Sequence, residues 1–176
     1  MIETWQAATP TVTVRAVASQ DMVTLRLRRP SADDLARVAS LIGVEPPSVP
    51  NTAAGDRVRA IWIGPDEWLI VGATAAIPMI EAAAVDAAAV SCVSVGDGRC
   101  LIDVMGANAA ELIAKAVPID LHPRAFPANS SAMTLFAQVN VIIDRRPGLD
   151  GFRLIFDVSF RGYLQRWFYD AVVEFE

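Results

Sequence analysis

The chain has 176 residues, with 53% hydrophobic and 20% charged side chains and a formal net charge of −5. This length suits a single domain, residues 1–176, which would bury about 70% of the surface that its unfolded chain exposes. The acidic balance argues against a nucleic-acid partner, because phosphates require clustered lysines and arginines. A mean hydropathy of +0.37 is high for a protein that works alone. Either a partner covers apolar surface or the many alanines raise the value, and composition leaves both explanations open.

The sequence offers no clear segment for membrane insertion or export. Its longest uncharged stretch, residues 125–143, contains proline, asparagine and glutamine, which do not suit a spanning helix. Residues 1–10 include an acid and lack the basic and then apolar order of a signal peptide. We therefore expect a cytoplasmic protein, in which Cys92 and Cys100 are small buried residues rather than a disulfide framework. Because they flank one turn, a bond between them stays open.

Two strands and a helix are predicted for the start of the chain. Residues 12–17 and 22–28 are β-rich runs, which we expect to pair as an antiparallel hairpin. Ser31, with Asp34 three residues later, is typical of the start of a helix, and Gly43 is typical of its end.

A proline-rich loop, a second hairpin and a second helix follow. Residues 46–56 are too polar and too rich in proline for a regular element. Residues 57–63 and 68–71 are expected to pair around a turn at residues 64–67, where proline presets the backbone. Pro78 is typical of the first turn of a helix that would run to about residue 89.

A third hairpin and a third helix are predicted next. Residues 90–95 and 99–105 are apolar strands, and the Gly96-Asp97-Gly98 segment between them resembles a hairpin turn. Asn108, with Glu111 three residues later, resembles a capping box at the start of the third helix.

The last part of the chain predicts an irregular segment, two strands and a final helix. The irregular segment covers residues 118–131, and the strands cover residues 133–143 and 152–159. The final helix begins near Phe160 and carries an aromatic stripe that must be buried. The order of elements predicts an α+β fold, with antiparallel sheets and helices packed on one face of them. We expect two pseudo-repeated, ferredoxin-like halves, at about residues 1–89 and 90–176.

Catalytic motifs are scarce in this sequence. A single histidine, His122, excludes sites that need two imidazoles, and no cysteine and histidine cluster has zinc spacing. Phosphate-binding loops and the serine elbow of hydrolases are also missing. The adjacent Asp66 and Glu67 would point to different sides of a turn, so they do not form an acid and base pair. Asp144 follows an apolar run, and we interpret it as a solvated strand end.

Five side chains are instead candidates for a partner interface. Trp62 and Trp68 bracket one turn, where tryptophan can serve either a core or an interface. His122 and Arg124 lie in the irregular segment, where they could meet a partner or bond only to their own loop. The complete candidate set is Trp62, Trp68, His122, Arg124 and Phe126.

Ordered sequence blocks carry a family resemblance over nearly the whole chain. They are GPDEWL at residues 64–69, DGR at 97–99, DLHPRAF at 120–126, and Thr134 with Leu135. With these blocks the chain resembles the gamma subunit family of heterotetrameric sarcosine oxidase. More distantly, it is similar to the folate-binding core of glycine-cleavage aminomethyltransferases. It departs from those enzymes after Thr134, where no glycine-rich loop with paired aspartates follows.

The resemblance implies a subunit that keeps a folate-binding fold without its site. Its role would be to stabilise flavin-bearing subunits that oxidise sarcosine to glycine, a one-carbon unit and hydrogen peroxide. The implied partners are alpha, beta and delta subunits, which would hold FAD, FMN, NAD, zinc and tetrahydrofolate, while this chain would bind no cofactor. An alternative is a small folate-binding or aminomethyl-transferring protein with a reduced pocket. A third reading is a homo-oligomer that covers its own apolar surface.

Overall fold

The computed structural model describes residues 5–72, residue 78 and residues 90–176. Within this part, the strands form two sheets in which every paired neighbour is antiparallel. The chain divides into a continuous unit, Gln20–Asp97, and a split unit, which combines Met1–Ser19 with Gly98–Glu176. The α+β class with antiparallel sheets is therefore confirmed. The expected single domain, with halves at about residues 1–89 and 90–176, stays a prediction.

The continuous unit contains a five-stranded sheet and one described helix. Its elements are β3 (Met22–Leu27), α1 (Ala32–Ile42), β4 (Ala53–Ala54), β5 (Arg59–Gly64), β6 (Glu67–Val71) and β7 (Val90–Ser94), and the strand order is β4-β5-β6-β3-β7. The capping box at α1 is confirmed, because the Ser31 hydroxyl accepts the Asp34 N–H while the Asp34 carboxylate accepts the Ser31 N–H. Gly43 ends the helix in the left-handed conformation. Val38 and Ile42 of α1 pack on Leu25 and Ile70 of the sheet.

The split unit contains a six-stranded sheet with two helices. Its elements are β1 (Gln6–Ala8), β2 (Thr13–Val17), β8 (Arg99–Met105), α2 (Ala109–Ala114), β9 (Ser131–Phe136), β10 (Val139–Asp144), β11 (Gly151–Asp157) and α3 (Arg161–Val172), in the order β1-β2-β8-β11-β10-β9. Leu112 of α2 and Phe168 of α3 share one core with alternate residues of the strands, so both helices cover the same face. Phe168 stacks on Phe136, and Trp167 meets the same ring edge-on. The predicted aromatic stripe is therefore buried in part, while Tyr163 stays exposed.

Two of the three expected hairpins are wrong, and one is confirmed. β5 and β6 pair as expected. In contrast, β2 pairs with β1 and β8, whereas β3 pairs with β6 and β7. β8 likewise pairs with β2 and β11 rather than with β7. The short segments between these strands carry the chain from one sheet to the other, and apolar periodicity identifies strands without identifying their partners.

Local chemistry explains three further corrections. Residues 133–143 form two strands, since Ala137 and Gln138 both adopt positive φ and close a two-residue turn without the usual glycine. The side chain of Asn108 donates to the Glu111 carboxylate (2.9 Å) and does not cap the backbone of α2. The Gly96–Gly98 segment is a 3-10 turn, in which a side chain on Gly96 would meet the Gln20 carbonyl oxygen at 2.9 Å. Apart from Pro78, the helix predicted for residues 78–89 lies outside the described residues.

Candidate partner interface

The irregular segment at residues 120–126 is a loop that its own polar groups hold in shape. The Asp120 carboxylate accepts the His122 N–H at 2.8 Å, which is an Asx turn. Nδ1 of His122 accepts the Arg124 N–H at 3.2 Å. In this contact Nδ1 of the imidazole is the acceptor. The histidine thus bonds to its own loop while the residue as a whole stays exposed.

A second set of contacts anchors the two ends of this loop. Leu121 and Phe126 are buried in the core of the split unit. Nη1 of Arg145, just after β10, donates to the Phe126 carbonyl oxygen (2.6 Å) and reaches that of Leu121 (3.5 Å). The same guanidinium lies 5.4 Å from the centre of the Phe152 ring. We call the exposed residues between the anchors, His122–Ala125, the knuckle.

The knuckle presents donors rather than a reaction centre. Arg124 and His122 are exposed, and the guanidinium of Arg124 offers five N–H donors in a fixed plane. Asp120 binds the backbone of His122 and not its ring, and no other carboxylate among residues 5–72 and 90–176 bonds to the imidazole to orient it as a general base. This arrangement suits docking against carboxylates or carbonyl oxygens of a partner.

The two candidate tryptophans lie in the continuous unit as direct cross-strand neighbours. Trp68 is only 3% exposed, and its indole N–H donates to the Pro47 carbonyl oxygen at 2.8 Å. Trp62 lies opposite it on β5, half-buried against the same core. Phe126, in the split unit, is buried as well. An interface role for these three side chains stays a prediction, with Trp62 the one that keeps partial exposure.

A buried polar row, which the sequence reasoning missed, crosses the face of the split unit's sheet opposite the helices. The strand registers place Arg15, Asp103, Arg153, Asp144 and Ser131 directly beside one another on five neighbouring strands. Direct cross-strand neighbours point to the same side, and Asp103 points away from the helix-covered core that Ile102 and Val104 join. The expected solvated position of Asp144 is wrong, because this residue is only 1% exposed. The sequence did contain a signal for this row, namely one charged residue inside each of two apolar strands, Asp103 in β8 and Arg153 in β11.

The row is held by a bidentate ion pair. Nε and Nη2 of Arg153 donate to the two carboxylate oxygens of Asp103 at 2.7 and 3.0 Å. Arg15, with its side chain 52% exposed, adds a third contact to Asp103 at 3.3 Å. The Nη1 of Arg153 and the hydroxyl of Ser131 are buried and have no hydrogen-bond partner among the residues that the structure describes. Both carboxylate oxygens of Asp103 and two of the three guanidinium nitrogens of Arg153 therefore bond within the sheet.

The described residues offer little for catalysis or metal binding. Burial raises the pKa of the Cys100 thiol, and the nearby Arg161 offsets this only in part. The depression beside this thiol has room for about one water molecule. Cys92 and Cys100 are not joined by a disulfide bond, which settles the possibility that the sequence left open. Across residues 5–72 and 90–176, no three histidines, cysteines or carboxylates gather closely enough to hold a metal ion, and no helix is long and apolar enough to cross a membrane.

Exposed apolar side chains are the remaining surface feature. Nine large ones are exposed in the described part: Val49, Val93, Met133, Leu135, Val158, Phe160, Tyr163, Tyr169 and Val173. Two of them lie on β9, and two more lie where α3 begins. Leu135 is exposed although it belongs, with Thr134, to one of the sequence blocks that carried the family resemblance.

Comparisons with known proteins agree with this fold over almost the whole chain. The gamma subunits of sarcosine oxidase from Corynebacterium sp. strain P-1 and strain U-96 are 29% and 30% identical to it. Those matches cover 94% and 93% of this chain and 82% and 80% of the relatives. The structure of heterotetrameric sarcosine oxidase from Corynebacterium sp. U-96, in complex with pyrrole 2-carboxylate, contains a chain that matches with a TM-score of 0.86 and 28% identity. That match covers 97% of this chain and 88% of the other.

The resemblance inferred from the sequence blocks is thus confirmed by independent comparisons. The sequence profile of "Sarcosine oxidase, gamma subunit family" matches residues 28–174, which include all four blocks. The chain belongs to the sarcosine oxidase gamma subunit family.

Proposed function

We propose that this chain is the non-catalytic gamma-type subunit of a heterotetrameric sarcosine oxidase. In this role it stabilises flavin-bearing subunits that oxidise sarcosine to glycine. The observation that carries the proposal is the match to a chain of heterotetrameric sarcosine oxidase along 97% of the present chain. Relatives named as gamma subunits, matched over about four fifths of their own length, support it.

The geometry of the candidate site favours docking over catalysis. The knuckle holds the exposed Arg124 and His122 on a braced loop, while the buried Asp103 and Arg153 bond to each other. In this proposal the partners are alpha, beta and delta subunits. They carry FAD, FMN, NAD, zinc and tetrahydrofolate, the chain itself carries none of these, and the complex works in the cytoplasm.

Co-purification tests the proposal. The chain would be expressed with an affinity tag together with the genes that neighbour it in its genome, and the eluate would be run on a sizing column. We expect co-elution with larger subunits and sarcosine-dependent formation of hydrogen peroxide in that fraction only. A chain that elutes alone, or that turns over an amine unaided, contradicts the proposal. Calorimetry with tetrahydrofolate on the isolated chain separates the folate-binding alternative, which requires saturable binding.

A further inference from the structure

The strand β9 forms one edge of the split unit's sheet. It pairs on one side with β10, and the pairing continues to Ser130, whose carbonyl oxygen accepts the Arg145 N–H. Hydrogen-bonded pairs alternate along an antiparallel ladder, so Ala132 and Thr134 direct their N–H and C=O groups to β10. Met133 and Leu135 direct theirs away from it. No hydrogen bond in the described part of the chain uses these outward groups.

The side chains of β9 leave this edge unprotected. Met133 is 61% exposed and Leu135 is 47% exposed. The strand reads SAMTLF, with no charge and no proline. Natural sheets usually protect an exposed edge with lysine, proline, a bulge or a very short strand. The opposite edge strand, β1, has only three residues, whereas β9 has six.

Apolar surface also lies beside the end of this strand. The Tyr163 hydroxyl donates to the Ala137 carbonyl oxygen at 3.0 Å, in the turn that joins β9 to β10. Tyr163 and the preceding Phe160 are both exposed at the start of α3. The β9 edge is therefore one part of a wider surface on which a protein can dock.

The size of this edge indicates what occupies it. A six-residue strand is roughly 20 Å long, and one layer of side chains on both faces is roughly 10 Å deep, so an added strand covers on the order of 200 Å² per side. A stable complex needs about 800 Å² per partner. Pairing of two β9 edges alone is thus too small to hold a homodimer, but it suits one component of an interface with a larger protein.

We propose that β9 accepts an extended segment of a partner subunit, which pairs with it as a seventh strand of the sheet. This inference rests on the proposed function, because that function supplies the larger interface. The added strand bonds to the outward groups of Met133 and Leu135, and its apolar side chains lie against these two. Specificity for an uncharged, β-branched or aromatic segment follows from the lack of charge on β9.

Proline substitution tests the pairing, because position 135 directs its N–H outward. Leu135→Pro removes one outward donor and leaves the bonds to β10 in place, as prolines on edge strands do. We expect this variant, made in the co-expressed complex, to bind its partners roughly tenfold more weakly than the wild type. Met133→Lys places a charge on the same edge and should act in the same direction. Val49→Lys is the matched control for Met133→Lys, since both residues are 61% exposed and Val49 lies outside β9.

Hydrogen exchange gives a second readout that does not depend on affinity. In the free full-length chain, the amides of Met133 and Leu135 should exchange fast and that of Thr134 slowly, and in the complex all three should be slow. If the wild-type and Leu135→Pro complexes assemble equally, and if the amides of Met133 and Leu135 stay unprotected in the wild-type complex, the strand proposal is wrong while the subunit role stands. If the wild type finds no partner, the subunit role fails. Protection in the free chain together with a dimer mass would instead show that β9 pairs with a second copy, which overturns the proposal.

Discussion

The buried ion pair of Asp103 and Arg153 allows a quantitative prediction about stability. Asp103→Leu leaves the guanidinium of Arg153, which is only 7% exposed, without the carboxylate that binds its Nε and Nη2. Breaking a buried pair by removing one partner costs about 3–5 kcal/mol. Arg153→Met strands the carboxylate of Asp103 in the same way, although Arg15 still contacts that carboxylate at 3.3 Å. We therefore expect a loss near the lower end of this range for Arg153→Met.

The double variant Asp103→Leu with Arg153→Met removes both charges together. Replacement of a buried pair by apolar side chains of similar volume is often close to neutral, so the double variant should lose no more stability than either single variant, although Asp144 stays buried opposite position 153. The coupling between the two sites should then reach several kcal/mol, well above the value for independent positions. Arg15→Ala is the control for an exposed contact and should cost less than about 1 kcal/mol.

Urea unfolding of the full-length chain, followed by tryptophan fluorescence, measures these differences. The outcome that refutes the reasoning is additivity, in which the double variant loses as much stability as the two single variants together. That result would mean that the charges are solvated in the native sheet or that the apolar replacements do not pack. A loss below about 1 kcal/mol for Asp103→Leu would equally contradict a desolvated pair.

Three further predictions concern local features. Ser31→Ala should cost about 1 kcal/mol in urea unfolding, since it removes the hydroxyl that caps α1. The hydrogen bond from that hydroxyl is also the largest cause that lowers the pKa of Asp34 from its ordinary value of 3.8. The ionised carboxylate therefore stabilises the native state above this pH, and this stabilisation is lost as the pH falls below it. In Ser31→Ala the free energy of unfolding should depend less on pH in this acidic range. Because burial raises the pKa of Cys100, iodoacetamide near neutral pH should leave it unmodified in the native chain and label it in urea, as peptide mass spectrometry would report. Arg145→Gln should release the loop that Arg145 braces and speed tryptic cleavage after Arg124, and equal cleavage rates in variant and wild type would contradict the bracing.

Local elements were predictable from the sequence where one residue type has one physical use. Ser31 and Asp34 mark the start of α1 because few other side chains satisfy the first backbone donors of a helix. Gly43 marks its end because the left-handed conformation there favours glycine. The hairpin of β5 and β6 followed from a proline turn between adjacent strands. In each case the cause and the effect lie within a few residues of each other.

Long-range pairing was not predictable in the same way. β2 and β3 are adjacent in sequence but join different sheets, and their apolar alternation is equally compatible with either arrangement. The turn at Ala137 and Gln138 lacks a sequence signal, because both residues adopt positive φ without being glycine, asparagine or aspartate. Of the candidate site residues, the loop positions of His122 and Arg124 were foreseen, whereas the burial of Trp68 depends on α1 and a loop packing over its face.

The polar row and the β9 edge are connected through the register of the sheet. Arg153 lies opposite Asp103 on one side and Asp144 on the other, and Ser131 at the start of β9 lies opposite Asp144. A slip of one residue between β8 and β11 would turn Arg153 toward the apolar core under the helices, at the cost of an unpaired buried charge. A slip between β9 and β10 would exchange the inward and outward amides of β9 and would turn Met133, in place of the half-buried Thr134, toward the helix-covered face. The ion pair thus constrains the alignment of the central strands, and the register between β9 and β10 determines which backbone groups of the edge strand point away from the sheet.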